Sequence, residues 1–309
     1  MIFAVIGAGI VIVFFVVLLV RCFAGCFLRG EEVPLESLDL SKTHYAKYKD
    51  ELLRTILEIK QMAYEPVRIR SYDGLLLGAR FYDFGFNKTV IALHGYRAIP
   101  YNNIHAGFLT MKDLGYNVLL VSHRAHYDSE GRAITFGERE QKDLTAWLDY
   151  VSERRPDDII ALYGLSMGCA TICLTADKLK NYPNVKLLVL ESGYRRAYDT
   201  LLVGAKKYGA WGSLVAVLCR LSGIMFLGID IKKSKIEERL RQCDVPAYFI
   251  HGSEDRLVVP ENAKLNFEAI GSAHKKLYIA EGAGHAEAFI ADRQYIEESL
   301  KAFAEEVGA

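Results

Sequence analysis

The sequence predicts an α/β protein built on a mostly parallel sheet with helices on both faces. Two observations carry that expectation. Short aliphatic runs at 89–94, 117–122, 159–164, 185–191, 246–251 and 275–280 are nearly continuous in apolar residues, the pattern of strands buried on both sides. Helix-length segments separate most of them, as parallel connections require. Candidate helices over 101–114, 138–153, 167–180, 260–270 and 291–306 fill these intervals, with Leu144, Trp147, Leu148 and Val151 on one side of the second. Ahead of them, 67–70 and 75–84 predict a hairpin turning at Asp73-Gly74, which brings the expected sheet to eight strands.

The bulk numbers narrow the function classes. The chain has 309 residues, with 38 Lys plus Arg against 38 Asp plus Glu, so no net charge points to nucleic acid or acidic partners. Cys169 and Cys173 are four apart on a predicted helix; Cys219 and Cys243 lie far from each other, and Cys22 and Cys26 lie in or beside the N-terminal apolar run. No spacing suggests a zinc site or a disulfide framework, and buried thiols are expected instead.

Residues 2–20 are uninterruptedly apolar, without charge or proline. At about 1.5 Å per residue this run approaches the roughly 30 Å of a bilayer core and predicts a single transmembrane helix, an anchor over 1–28. A cleavable signal peptide would carry a basic residue before the run, and none is present. Phe23-Ala24-Gly25-Cys26 loosely resembles a lipoprotein processing site, though Arg21 interrupts its approach. Arg21 and Arg29 follow the run, which by the positive-inside rule leaves the body at the cell membrane's cytoplasmic side. Residues 29–62 then predict an acidic linker and an amphipathic helix from a Ser41 cap to about Gln61, with Tyr45, Tyr48, Leu52, Ile56 and Ile59 at helical spacing. A single domain covers 63–309.

One interval breaks the strand–helix rhythm. More than fifty residues separate the strands at 185–191 and 246–251. Within them, 213–229 is apolar enough to suggest a second membrane span, but Arg220 lies near its middle and strands of one sheet flank it. A helical lid over about 194–240 is expected, its apolar faces shielding a site from water or touching lipid.

The chemistry centres on Gly164-Leu165-Ser166-Met167-Gly168. A serine between glycines, after a strand and before a helix, sits on a sharp turn that lifts its hydroxyl above the sheet. The helix amino end behind it offers free backbone N–H groups. A serine hydroxyl is a poor nucleophile until a base takes its proton. After strand 275–280, Glu281-Gly282-Ala283-Gly284-His285 presents an imidazole on a glycine-rich loop; after strand 246–251, His251-Gly252-Ser253-Glu254-Asp255 presents a carboxylate to orient it. Asp255 fits the offset better than Glu254. Oxyanion stabilisation requires two amide donors. Met167 N–H, next to the nucleophile, is one, and Tyr96 N–H, in the loop His94-Gly95-Tyr96-Arg97 after strand 89–94, is the other. The His94 side chain is expected to support this loop.

By these residues the chain resembles the α/β-hydrolase superfamily, in particular bacterial membrane-anchored hydrolases of the serine aminopeptidase and esterase type. The resemblance runs from about residue 60 to the end, through LHGY (93–96), SHRAHYDSEG (122–131), GLSMG (164–168), HGSEDRLVVP (251–260) and GAGHAEAF (282–289). The chain order Ser, Asp, His is that of the superfamily. The family's counterpart of 122–131 reads closer to RGHGxSxG; here Ala125 and Tyr127 replace its glycines, a departure that should reshape the loop. The same comparison implies structural roles for Arg124 and His126. It implies acyl transfer to water with no metal and no organic cofactor. The apolar lid and the anchor favour a carboxylic ester with an acyl chain, a small-molecule or lipid-like substrate. Peptidase and thioesterase activity remain alternatives, as do a non-catalytic binding protein and a membrane scaffold whose partner docks on the lid. Oligomeric state is left open.

Overall fold

The computed structural model describes residues 2–309, with the side chains at 2, 4, 5, 7, 8, 11, 42 and 44 outside the described set. A long helix, α1 (Ile2–Phe27), is followed by short 3-10 turns and α2 (Lys49–Gln61). The hairpin β1 (Glu65–Arg70) and β2 (Leu76–Tyr82) comes next, then β3 (Lys88–Leu93), α3 (Pro100–Asn103), α4 (His105–Asp113) and β4 (Asn117–Val121). The central units are α5 (Glu140–Arg154), β5 (Ile159–Leu165), α6 (Met167–Thr175) and β6 (Val185–Glu191). The long interval holds α7 (Ala197–Ala205), α8 (Gly212–Leu227) and α9 (Ile236–Leu240). The chain closes with β7 (Ala247–Gly252), α10 (Glu261–Ala269), β8 (Lys275–Ala280), α11 (Ala288–Ala291) and α12 (Arg293–Val307).

The eight strands form one sheet in the order β1-β2-β4-β3-β5-β6-β7-β8. Only the β1–β2 and β2–β4 pairings are antiparallel; the remainder of the sheet is parallel. Alternation along β3 shows why both faces are apolar: Ile91 and Leu93 join the core that holds Trp147, and Val90 and Ala92 join the one that holds Phe108. Because the central strands run parallel, the loops carrying the predicted chemical groups all leave the sheet at its carboxyl edge, where α/β sheets place their sites.

Three predicted elements differ. The helix expected from Ser41 starts only at Lys49. Before it, Asp39 accepts a hydrogen bond from Ser41 N–H, and Thr43 Oγ1 accepts one from Tyr45 N–H, so side chains hold 39–48 in separate 3-10 turns rather than a helix. Ser41 is therefore not the cap. The helix expected over 101–114 is broken at Ile104, whose backbone (φ −107°, ψ 23°) leaves the helical region. The segment 167–180 is α-helical to Thr175 and 3-10 beyond it.

The predicted span at 2–20 falls partly on residues outside the described set. The described apolar part of α1, Ile12–Phe27, is shorter than the ~20 residues that a bilayer core requires. Among the described residues, the run long and apolar enough to cross a membrane is Ala197–Leu227, one third buried. It does not act as a span. Gly209 (φ 59°, ψ −132°) kinks it, and the flanking strands β6 and β7 are neighbours in one sheet, so both ends of the run join the same folded body. Arg220 makes two 2.7 Å bonds to Asp230, neutralising the charge that interrupts the apolar run.

All six cysteines are free thiols, and Cys169, Cys173, Cys219 and Cys243 are buried. Cys219 Sγ lies 2.8 Å from that of Cys26, because α8 packs across the end of α1.

Candidate active site

The turn from β5 into α6 needs both glycines of the Gly164–Gly168 pattern. A Cβ on Gly164 would approach Cys169 N to 2.6 Å, and one on Gly168 would collide with the Leu93 carbonyl. Ser166, between them, holds φ 53° and ψ −108°, a conformation that L residues rarely adopt. Its own N–H donates to Glu191 O (2.9 Å), which ties the turn to the end of β6.

The loops after β7 and β8 converge on this serine. Ser166 Oγ lies 3.1 Å from His285 Nε2, and His285 Nδ1 lies 2.7 Å from Asp255 Oδ2. Asp255 Oδ1 accepts from Leu257 N–H (2.9 Å) and Val258 N–H (2.8 Å). Burial raises the Asp255 pKa, but hydrogen bonds from His251 and His285 and from the Val258 amide outweigh it and hold the carboxyl well below its usual range. His251 was not singled out as a site residue from sequence. Its Nε2–H is shared between Val258 O (2.6 Å) and Asp255 Oδ2 (3.1 Å), so two imidazoles hold one carboxylate. The i, i+4 spacing of His251 and Asp255 was the available signal.

The loop after β3 is fixed by three buried imidazoles, each donating through one nitrogen and, for two of them, accepting through the other. His94 Nδ1–H donates to Gly95 O (2.7 Å), and His94 Nε2 accepts from His123 N–H (3.1 Å). His123 Nε2–H donates back to His94 O (3.1 Å). His126 Nδ1–H donates to Arg124 O (2.9 Å), and its Nε2 accepts from Arg97 N–H (2.9 Å). The two accepting rings, His94 and His126, must be neutral for these bonds. Burial supplies that state, holding His94 well below its usual range and pulling His126 down to about 4; it lowers His123 as well, to about 3. Gly95 N–H donates to Asn103 Oδ1 (2.6 Å), a partner that the sequence did not single out. With the Gly95 and Arg97 amides engaged, the Tyr96 amide lies between them; neither it nor the Met167 amide donates a hydrogen bond among the described residues. The structure thus leaves both predicted oxyanion donors uncommitted.

The departure at Ala125 and Tyr127 has a specific outcome. Both keep left-handed backbone, φ 58° and 41°, where the family pattern has glycine. The loop keeps the glycine conformation at a cost of about 1–2 kcal/mol per residue. Arg124 is buried against Asp143 (2.6 Å) and Asp73 (2.8 Å), away from the serine's hydrogen bonds.

A further carboxyl lies behind the serine. Glu191 is fully buried, accepts from Tyr163 O–H (2.6 Å), and is pushed by burial up to about 7. Its unfolded value is 4.5, so the folded state holds the proton more tightly, and stability falls as pH rises from about 4.5 through 7. Glu191→Gln keeps an acceptor for Tyr163 and removes the titration. Its stability advantage over the wild type is expected to grow by about 2 kcal/mol between pH 5 and pH 8 in urea unfolding; an unchanged difference would mean that Glu191 is ionised in the fold. Tyr45, from the 3-10 turn His44–Tyr48, also borders the site: burial, then the charges of Glu287, Glu191 and Asp255, push its phenol up.

These loops, spaced along the carboxyl edge of an eight-stranded sheet with the serine on its sharp β5–α6 turn, define the architecture. The chain has the α/β-hydrolase fold. The Pyrococcus furiosus esterase Pf2001 superposes with a TM-score of 0.67 at 22% identity, covering 81% of this chain and 93% of that one. An esterase from Exiguobacterium antarcticum does so with a TM-score of 0.57 at 20% identity, covering 78% and 100%. The α/β-hydrolase chain is also 23% identical to an uncharacterized Bacillus subtilis (strain 168) protein, YqkD, over 70% of each. No family model matches it. Among the described residues of this hydrolase fold, no group of His, Cys, Asp or Glu could hold a metal ion.

Proposed function

We propose that the chain is a serine hydrolase that cleaves carboxylic esters, with Ser166 as nucleophile, His285 as general base and acid, and Asp255 as the orienting carboxylate. The observation that carries this is the continuous relay of 3.1 Å and 2.7 Å from Ser166 Oγ through His285 to Asp255. Ser166 Oγ attacks the ester carbonyl as its proton passes to His285 Nε2. The carbonyl oxygen gains negative charge and takes hydrogen bonds from the Met167 and Tyr96 amides, each worth about 3 kcal/mol of barrier. Collapse releases the alcohol, which takes the proton from His285, and leaves an acyl group on Ser166. Water then attacks this ester, giving its proton to His285 and returning free serine and a carboxylic acid.

The esterase neighbours support an ester rather than a peptide substrate. The exposed apolar side chains of α1 and α8 support a substrate with an acyl chain and attachment to a membrane through α1. In that placement Arg21 and Arg29 favour the cytoplasmic side. A fluorophosphonate should label the wild type at Ser166, with the adduct located by peptide mass spectrometry. Labelling elsewhere, or none in an active preparation, would refute the assignment.

A further inference from the structure

α8 has two apolar faces, and only one is covered. Ala216, Cys219, Ser222 and Gly223 are buried. This side meets α1: Cys219 touches Cys26, and a Cβ on Gly223 would run into the Phe27 ring at 2.6 Å. Phe226 and Phe23 add a ring contact at 4.9 Å. Leu214, Val217, Leu221, Ile224 and Met225, at helical spacing along another face, are exposed. Just before them Tyr208 and Trp211 are exposed, beside Lys206 and Lys207. Residues 200–229 contain no carboxylate. Apolar face, interfacial aromatics and basic flank together are the composition of a helix lying in a membrane interface.

We infer that the outer face of α8 rests in the headgroup–acyl boundary of an anionic bilayer, the same bilayer that α1 enters. Continuity of the apolar surface favours lipid over a protein partner. α8 is docked on α1, whose exposed Val13, Phe14, Val17 and Val20 prolong the apolar surface away from the body. The end of α1 is joined directly to the site: Tyr96 O–H donates to Cys26 O (2.8 Å), and Arg97 Nη2 to Leu28 O (2.9 Å). An α1 set in lipid therefore brings α8 and the loop bearing the Tyr96 amide to the membrane surface together. The substrate class that follows is an ester with its acyl chains in the bilayer. This inference rests on the proposed hydrolase with an α1 anchor.

The chain carries its own probe, since its two tryptophans are Trp147, fully buried, and Trp211, 70% exposed. The full chain is reconstituted in phosphatidylcholine–phosphatidylglycerol vesicles, and Trp211→Phe is subtracted to isolate the Trp211 emission. Lipids brominated near the headgroup end of the acyl chain should quench that emission at least about twofold, with iodide ineffective. Iodide quenching without bromine quenching overturns the inference. So does emission shielded from both quenchers, which would mean that a second copy or another protein covers the face. Carbonate extraction separates the premises: release from the vesicles refutes the anchor, whereas retention with a wet Trp211 refutes only the docking. As a functional arm, Leu221→Asp should lower hydrolysis of a vesicle-embedded long-chain ester roughly tenfold and leave that of a water-soluble short-chain ester unchanged. Equal loss on both substrates overturns the inference, and failure of fluorophosphonate labelling refutes the hydrolase reading itself.

Discussion

Ser166→Ala is expected to lower p-nitrophenyl ester hydrolysis by at least about 10³-fold while leaving the circular dichroism spectrum and solubility of the wild type. A 10³-fold loss corresponds to about 4 kcal/mol of barrier, a scale set by loss of the covalent route rather than by altered substrate binding. The side chain removed is one oxygen whose hydrogen-bond partner is His285, so no buried network collapses with it. KM should therefore change little and kcat should fall. Turnover retained within tenfold in this variant would sink the nucleophile assignment. A companion substitution separates chemistry from backbone strain. Ser166 holds φ 53° and ψ −108°, and glycine adopts positive φ without a Cβ clash. Ser166→Gly is expected to be as inactive as Ser166→Ala and more stable than it by about 1 kcal/mol in urea unfolding.

Asp255→Asn is expected to reduce kcat/KM by about 10³–10⁴-fold without displacing the loop. As carboxylate, Asp255 accepts from His285 Nδ1–H and so keeps Nε2 free to take the serine proton. An asparagine amide presenting N–H to Nδ1 favours the opposite tautomer, with the proton on the wrong nitrogen. The two backbone donors, from Leu257 and Val258, still find an oxygen in the amide. A second readout tests the electrostatics. The Asp255 carboxyl is held below its unfolded value of 3.8, so its stabilising contribution is present above about pH 4 and lost as pH falls further. The wild type should therefore lose stability on acidification below pH 4 more steeply than Asp255→Asn. Parallel acid-unfolding curves would mean that the His251 and His285 contacts do not hold the carboxylate ionised.

The contrast between the oxyanion loop and the serine turn shows where sequence reasoning reaches its limit. Gly164, Ser166 and Gly168 lie within five residues, and the steric demand that selects them is local, so the pattern announces the turn. The loop at 94–97 is held instead by Asn103, His123 and His126, which come from a separate helix and from the loop after β4. Nothing in a lone asparagine distinguishes it from any other at a helix end. The helix misplaced at Ser41 has a related cause: its apolar spacing is real, but Asp39 and Thr43 offer the backbone nearer partners than a helix does. The contact of Cys219 with Cys26 was likewise invisible in the sequence, because the two lie 193 positions apart.

Periodicity and short-range sterics therefore determined, from the sequence by itself, the eight strands, their parallel core and the sharp turn at Ser166, while the short motifs after two of the strands named Asp255 and His285 as its partners. Only the folded chain decided which nitrogen of each buried imidazole carries a proton, that His251 shares the Asp255 carboxylate, and which face of α8 is covered by α1. Those outcomes depend on contacts between residues far apart in the chain, where burial and hydrogen-bond geometry act together. Spacing along a sequence encodes which side chains can share an element; it does not encode what the element meets when the sheet closes.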